Sequence, residues 1–386
     1  MRGIILFLLF ALLLVSSSAR AQQLPGNPNS GTQTVSTYVF NTLIPYTNTA
    51  DGTINIETSG TLSNGAPGGF GGPVVNGTLN NDGTLTNAGS LENNGNLGNC
   101  ILNNNSGGTL TNAGAMGNSF GGTMTNTGTL TNNSGCTLLN DGTLTNNSGG
   151  TLTNDGTLDN TYGTLNNDGT LNNNDTLNNK YLLSNNSGGL LTNAGTLTNN
   201  NSAKLDNSGT LNNSGTIDTT GGTFTNNGIY SGGGTITGSW TDHGVATPGN
   251  SAGVLTTEGD YYKRGGSKEI ELGGLSDGGG DKSLTEFDWL DVTGDVELAG
   301  VLDVYLIDSF ELLAGMSFDI LKVGGTFTGQ YDGLPDGGRV GSFSGTNLYI
   351  TYAAGDVTLF SRAVPEPAAL LLALFGLALL PRRRRR

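Results

Sequence analysis

The chain has 386 residues, among them 65 Gly, 10 Pro and roughly fifty Asn, with a formal net charge of −15. Glycine far above the usual ~7%, without a period of three and with so little proline, excludes a collagen triple helix. Only 12% of residues are charged and 7% aromatic, which fits neither a highly charged disordered tail nor an aromatic-rich enzyme core, and the acidic balance excludes nucleic acid as a partner.

Residues 1–21 read as a secretory signal peptide. Arg2 precedes the apolar run 4–15 (IILFLLFALLLV), three serines follow, and the small residues Ala19 and Ala21 flank Arg20, so cleavage is expected after Ala21. The run is shorter than the ~20 residues of a spanning helix. Residues 22–75 are less regular and carry Tyr38, Phe40, Ile44 and Tyr46. They are expected to form an N-terminal cap or the first irregular coils, because an open solenoid end exposes unpaired strand edges.

Residues 76–239 form a short-period repeat. An aliphatic residue recurs at Leu79, Leu85, Leu91, Leu97, Leu102, Leu110, Met116, Met124, Leu130, Leu138, Leu144, Leu152 and Leu158. The series continues through Leu165, Leu171, Leu177, Leu182, Leu190, Leu197, Leu205, Leu211, Ile217, Phe224, Ile229 or Tyr230, and Ile236. Most have Asn two residues later and Gly soon after, as at Asn81 with Gly83 and Asn126 with Gly128, so the unit is T-L-x-N-x-G.

In an extended strand, residues two apart share a face, so Leu and Asn point one way and Thr the other. A strand this short that ends in Asn and Gly turns at once, since both tolerate the left-handed backbone of a corner. Three units make a turn of about 20 residues, the size expected of a parallel β-helix with Leu ladders inside and Asn ladders near the corners. The predicted fold is therefore all-β, a right-handed parallel β-helix (β-solenoid). About eight turns at ~4.8 Å each extend roughly 40 Å. The fixed Leu-x-Asn phase argues against a disordered low-complexity tract, which has no reason to keep an apolar residue in register.

Thr-x-Thr triplets stack in this phase at Thr109/Thr111, Thr129/Thr131 and Thr151/Thr153, and on the next face at Thr123/Thr125 and Thr143/Thr145. Flat Thr-x-Thr ladders are what β-solenoid ice-binding proteins use, and about three successive turns keep the ladder here. Thr is also simply a good strand residue.

Residues 240–360 change composition and largely alternate apolar and polar residues between Gly turns, as half-buried strands do. PGNSAGVLTTEGDY, followed by DWLDVTGDVELAGVLDV, resembles the C-terminal part of an autotransporter passenger, itself a β-helix. No outer-membrane barrel follows, so self-translocation is not implied. Residues 337–360 resemble the final strand pair often found before the type of tail described next.

That tail is residues 361–386. Val364, Pro365, Glu366 and Pro367 precede the apolar run 368–380, Pro381 and Arg382, Arg383, Arg384, Arg385 and Arg386. The run covers about two thirds of a ~30 Å hydrocarbon core, and the arginines keep the C-terminus cytoplasmic. The three parts in order resemble the PEP-CTERM sorting signal of Gram-negative bacteria that make an exopolysaccharide. The resemblance implies processing by an exosortase near the Pro-Glu-Pro box. It also implies an inner-membrane-anchored intermediate and final residence at the cell surface or in the extracellular matrix. The same tail is also labelled an ice-binding protein C-terminal domain, a label that describes a sorting signal alone. Without Arg2, Arg20, the five terminal arginines and Glu366, nine basic and thirty acidic residues remain, a net charge of about −21.

Chemistry is sparse. His243, beside Asp242, is the single histidine and reads as a surface residue. Cys100 and Cys136 lack the C-x-x-C spacing of a zinc or redox site and sit out of phase for a disulfide, so both are expected as separate buried small residues. Gly278-Gly279-Gly280-Asp281 occurs once, without the tandem rows of calcium nonapeptides, although Asp277, Asp281, Asp288 and Asp291 offer weak calcium ligands. Asp288 and Asp291 also suggest a glycosidase pair. The reading is a non-enzymatic protein with no catalytic residues, cofactor or metal site. It is an exported surface or matrix adhesin-like protein associated with exopolysaccharide or the cell surface. The alternatives are a polysaccharide-active β-helix enzyme and an ice-binding protein.

Overall fold

The structure, a computed structural model, describes residues 24–41, 45–59, 61–64, 77–93, 100–200, 202–249, 251–279, 281–353 and 355–364. The signal peptide, Ile44, Leu97 and the tail from Pro365 onward lie outside the described residues. The chain divides into two compact units, 1–181 and 182–386.

In the first unit, strands of three or four residues follow one another around a coil and pair only with the strand one turn away. A first sheet runs from Thr32–Val35 through Thr53–Ile56 and Thr84–Asn87 to Thr170–Asn173. A second runs from Tyr38–Asn41 to Thr176–Asn179, and a third from Tyr46–Asn48 to Thr164–Asn167. Every pair is parallel and equivalent residues face each other, as in Thr109↔Thr129 and Leu110↔Leu130, or Met124↔Leu144. This is the parallel β-solenoid that the repeat predicts. The strands of segment 22–75 are its first coils: Thr32–Val35 pairs with Thr53–Ile56, which pairs with Thr84–Asn87.

Burial alternates as expected. In strand after strand, Leu and Asn are buried and the two Thr-type positions are not. The Leu ladder is fully dry, with Leu110, Leu130 and Leu152 each at 0% exposure, worth about 1.5–3 kcal/mol per side chain in water-to-core transfer.

The corners correct one expectation. The ladder Asn residues are not left-handed; they belong to the strands, and their side chains are used instead. Glycine is needed at the corner for two separate reasons. At Gly128 an added Cβ would lie 2.2 Å from the carbonyl oxygen of Gly108 one turn away, so stacking leaves no room for one. At Gly149, in a longer corner, φ is +84 with open space around it, and only the backbone sign demands glycine.

The second unit starts with the same repeat. Strands Leu182–Asn185, Lys204–Asn207 and Thr223–Asn226 stack in parallel, and so do Leu190–Asn193, Thr210–Asn213 and Ile229–Gly232. The buried residues are Leu183, Leu191 and Tyr230, with Leu190 and Ile229 exposed. The expectation of Leu182 and Leu190 in the core was one residue early: in each Leu-Leu doublet the second residue stands two before Asn. Parallel pairing continues through Trp240–Asp242, Tyr261–Lys263 and Val296–Leu298. The coil ends in an antiparallel array of Ser317–Val323, Asp356–Ala363, Thr346–Ala353 and Arg339–Phe343. That array ends parallel propagation, and it contains the strand pair expected over 337–360. Among the described residues, no helix is long and apolar enough to cross a membrane.

Candidate functional site

Beneath the outer faces runs an interior polar ladder. In the first unit each buried Asn from Asn29 to Asn160 donates Nδ2 to the Oδ1 of the Asn one turn on. One series is Asn81 to Asn104 at 2.8 Å, Asn104 to Asn126 at 2.7 Å and Asn126 to Asn146 at 2.8 Å. The second amide proton goes to a strand carbonyl, as from Asn126 to Thr151 O at 2.9 Å. A buried amide left unbonded costs about 1–3 kcal/mol, and chains of such bonds reinforce one another. A series needs a donor before its first member: Asn87 Oδ1 has no partner because Ile56 occupies the place one turn earlier.

Outside, the first sheet carries Thr-x-Thr in four successive turns: Thr84/Thr86, Thr109/Thr111, Thr129/Thr131 and Thr151/Thr153 are in register. The sequence had suggested about three; the additional row, Thr84/Thr86, becomes visible only through the irregular 25-residue step to Thr109. The ladder stops where Thr153 faces Asn172. Thr123/Thr125 and Thr143/Thr145 stack on the third sheet, as expected.

The second unit holds a group of ionisable side chains that sequence reasoning missed. The series Asn185, Asn207, Asn226 ends at Asp242, whose carboxylate accepts from Asn226 Nδ2 at 2.7 Å, Gly244 N at 3.0 Å, Tyr261 Oη at 3.0 Å and Lys263 Nζ at 2.8 Å. Lys263 also donates to Gly244 O at 2.7 Å, and both members of the pair are fully buried. A polarised amide series can stop on a group that only accepts. Asp242 is that group and Lys263 neutralises it. Burial pushes the Lys263 ammonium below the ordinary lysine value, against the pull of Asp242, and pushes the Tyr261 phenol well up.

Next to them, Lys268 occupies a core position between Ala246 and Leu302, and its Nζ has no hydrogen-bond partner. Burial brings it down to about 7, with Asp242 opposing. Asp288 is driven by burial up to about 8, although the N–H groups of Glu271 and Gly253 favour its charged form. The signal was available: W-T-D at 240–242 stands in phase with F-T-N at 224–226, so Asp242 is an Asn position turned acidic.

The expected site residues are placed as follows. Ala19, Ala21, Pro365, Glu366, Pro367 and Arg382 to Arg386 lie outside the described residues. Val364 is exposed and donates its N–H to Gly345 O at 3.1 Å, directly after the last strand. His243 is exposed. Cys100 is buried, as expected, but Cys136 is partly exposed in a corner.

Asp277 pairs with Lys322 at 2.9 Å and Asp291 with Lys282 at 2.6 Å. Asp281 caps the turn at Ser283, and Asp288 accepts two backbone N–H groups. The four carboxylates thus each have a separate partner, and among the described residues no group of three or more His, Cys, Asp or Glu side chains is arranged to hold a metal ion. A depression lined by Ser214, Gly233, Val254, Thr256 and Lys282 is shallow and brings no pair of carboxylates together. No protein-family model matches the chain, and no curated protein matches it.

Proposed function

We propose that this is an exported structural protein of the cell surface or extracellular matrix, adhesin-like and without catalysis. The observation that carries the reading is the distribution of chemistry. The groups with strongly perturbed acidity, Lys268 and Asp288, face the dry interior, while the outer faces of the coil are rows of Thr, Asn and Ser backed by rigid amide ladders. Such faces suit attachment to hydroxylated or hydrated surfaces, and the acidic mature chain stays soluble.

The tail supplies the route: a signal peptide, then retention in the inner membrane through the apolar run before the terminal arginines, then exosortase cleavage near Pro365–Pro367 and release to the surface or the exopolysaccharide matrix. Val364, the first residue of the box, follows directly on the last paired strand. Cell fractionation with terminal mass spectrometry tests this. Surface or matrix protein beginning at Gln22 and ending near Pro367 is expected; material retaining Arg386 at the surface contradicts processing, and a cytoplasmic chain contradicts the whole reading.

Ice binding is the second reading, favoured by the four-turn Thr-x-Thr face, a grid of about 6.7 Å by 4.8 Å from strand geometry. Thermal hysteresis with crystal shaping supports it, and neither at high concentration removes it. A polysaccharide-active enzyme is the remaining alternative; turnover of extracellular glycans abolished by Asp291→Asn is the result that would revive it.

A further inference from the structure

We propose that one edge of the first unit is a stacking platform for an uncharged polysaccharide chain. This rests on the surface-or-matrix reading and names the ligand class. Among the described residues of this unit, the large apolar side chains left exposed are Phe120, Tyr162 and Tyr181, at 70%, 66% and 57%. A three-sided coil has three corner columns, and all three rings fall on the same one, after the second sheet.

The amide series beside this column counts the turns, while the corners themselves differ in length. Asn118, Asn140, Asn160 and Asn179 form one continuous amide series, and each ring stands two residues after its Asn. The corner of Asn140 is only two residues long, Asp141 and Gly142, and carries no ring; Gly142 stacks on Gly122, the residue before the next strand. Tyr162 and Tyr181 therefore lie in successive turns, whose strands are about 4.8 Å apart, and Phe120 lies two turns from Tyr162. The corner itself does not require an aromatic residue, as the ringless corner after Asn140 shows. Leaving such rings in water gains nothing for folding.

Polar groups lie between the rings. Lys180 Nζ bonds both oxygens of Asp159 at 2.9 and 3.1 Å, and Thr161 Oγ1 donates to Asp159 at 2.8 Å. In the gap turn, Asp141 accepts the backbone N–H of Tyr162 and keeps its Oδ1 without a partner.

Rings in single file with carboxylates and an ammonium beside them match a sugar chain, whose C–H faces stack on aromatic rings while its hydroxyls bond the charged groups. A protein partner calls for a contiguous apolar core patch, and here the ringless corner after Asn140 and polar residues interrupt the file. A polyanion is disfavoured by Asp141, Asp159 and the acidic chain.

The test uses the exported chain, retained on insoluble cellulose and chitin or retarded in gels containing soluble neutral glucan, with alginate as the polyanionic arm. Retention on at least one neutral polymer is expected, weakened at least tenfold in Phe120→Ala/Tyr162→Ala/Tyr181→Ala and kept in Tyr162→Phe/Tyr181→Phe, with unchanged circular dichroism in both variants. Absence of retention on every neutral polymer, equal retention of the triple alanine variant, or preference for alginate overturns the platform. Concentration-dependent self-association that the triple variant abolishes, without glycan retention, also overturns it, in favour of a contact between copies. Fractionation is scored separately. A surface chain that binds none of the polymers refutes the platform and leaves the surface reading standing, whereas ring-dependent binding by a chain that stays in the cytoplasm does the reverse.

Discussion

Residues 77–179 and residues 224–268 both line the inside of a parallel coil, with different chemistry. In the first stretch the lining is Leu, with Met at Met116 and Met124, and Asn at every strand, and Asn after Asn donates to the next. In the second, the rings of Phe224, Trp240 and Tyr261 succeed one another at 5.3 and 4.8 Å, and Asp242, Lys263 and Lys268 replace amides or leucines. An Asn series extends indefinitely because each member both donates and accepts. One series stops on a pure acceptor with a countercharge, Asp242 with Lys263, another stops where Asn213 meets the Tyr230 hydroxyl, and the bulkier aromatic lining begins one turn before Asp242, at Phe224. Repetition is chemically simple, whereas termination needs dedicated residues.

The largest effect is expected at that terminus. Lys263→Met leaves Asp242 as a buried unpaired carboxylate and should cost about 4 kcal/mol in denaturant unfolding. Asp242→Asn combined with Lys263→Met should recover most of this, because an amide there can donate to Gly244 O as Asn226 does to Gly228 O. A double variant as unstable as the single one breaks the idea of a terminator. Within the repetitive stretch, Asn126→Ala removes one accepted and two donated bonds and should cost about 3 kcal/mol, read as a lowered urea midpoint.

Corners sharpen the contrast between space and backbone sign. Gly128→Ala meets the Gly108 carbonyl and should cost about 2–3 kcal/mol, while Gly149→Ala meets nothing and should cost about 1 kcal/mol for its backbone alone. Equal costs would show that stacking is not the constraint at Gly128.

Lys268→Met should stabilise by about 1–2 kcal/mol near pH 7, since an unpartnered buried cation gives way to an apolar chain. The pH dependence follows from the lowered value. Between about 7 and the ordinary 10.5, the unfolded chain binds a proton that the folded one does not, so wild-type stability from this group rises with pH across that window. The advantage of Met is therefore full at pH 7 and below and fades towards pH 10.5. Asp288, raised to about 8, works the other way, binding a proton on folding from about pH 4 and losing stability as pH rises to 8. That fall should survive in Lys268→Met. An advantage of Met that does not change between pH 7 and 10 contradicts the assignment.

The solenoid, its three-unit turn and its Thr ladders were legible because the Leu-x-Asn period encodes which face is buried. Where the period was ambiguous, at Leu182/Leu183 and Leu190/Leu191, the distance to Asn settles the core residue. The role of Asn was misread, since left-handed tolerance and side-chain bonding favour the same residue, and sequence alone does not separate them. The Asp242–Lys263 pair escaped because its members are 21 residues apart and meet only through the stacking of turns. The edge of Phe120, Tyr162 and Tyr181 escaped because rings in variable corners carry no period until the Asn register is imposed.

The central claim is that the inward Asn side chains form a dry, continuous hydrogen-bonded series. Hydrogen exchange of side-chain amides by NMR tests it most directly. The Nδ2 protons of Asn104, Asn126 and Asn146 should exchange at least a hundredfold more slowly than those of the exposed Asn174. Uniform fast exchange across all four residues would contradict the ladder and the fold built on it.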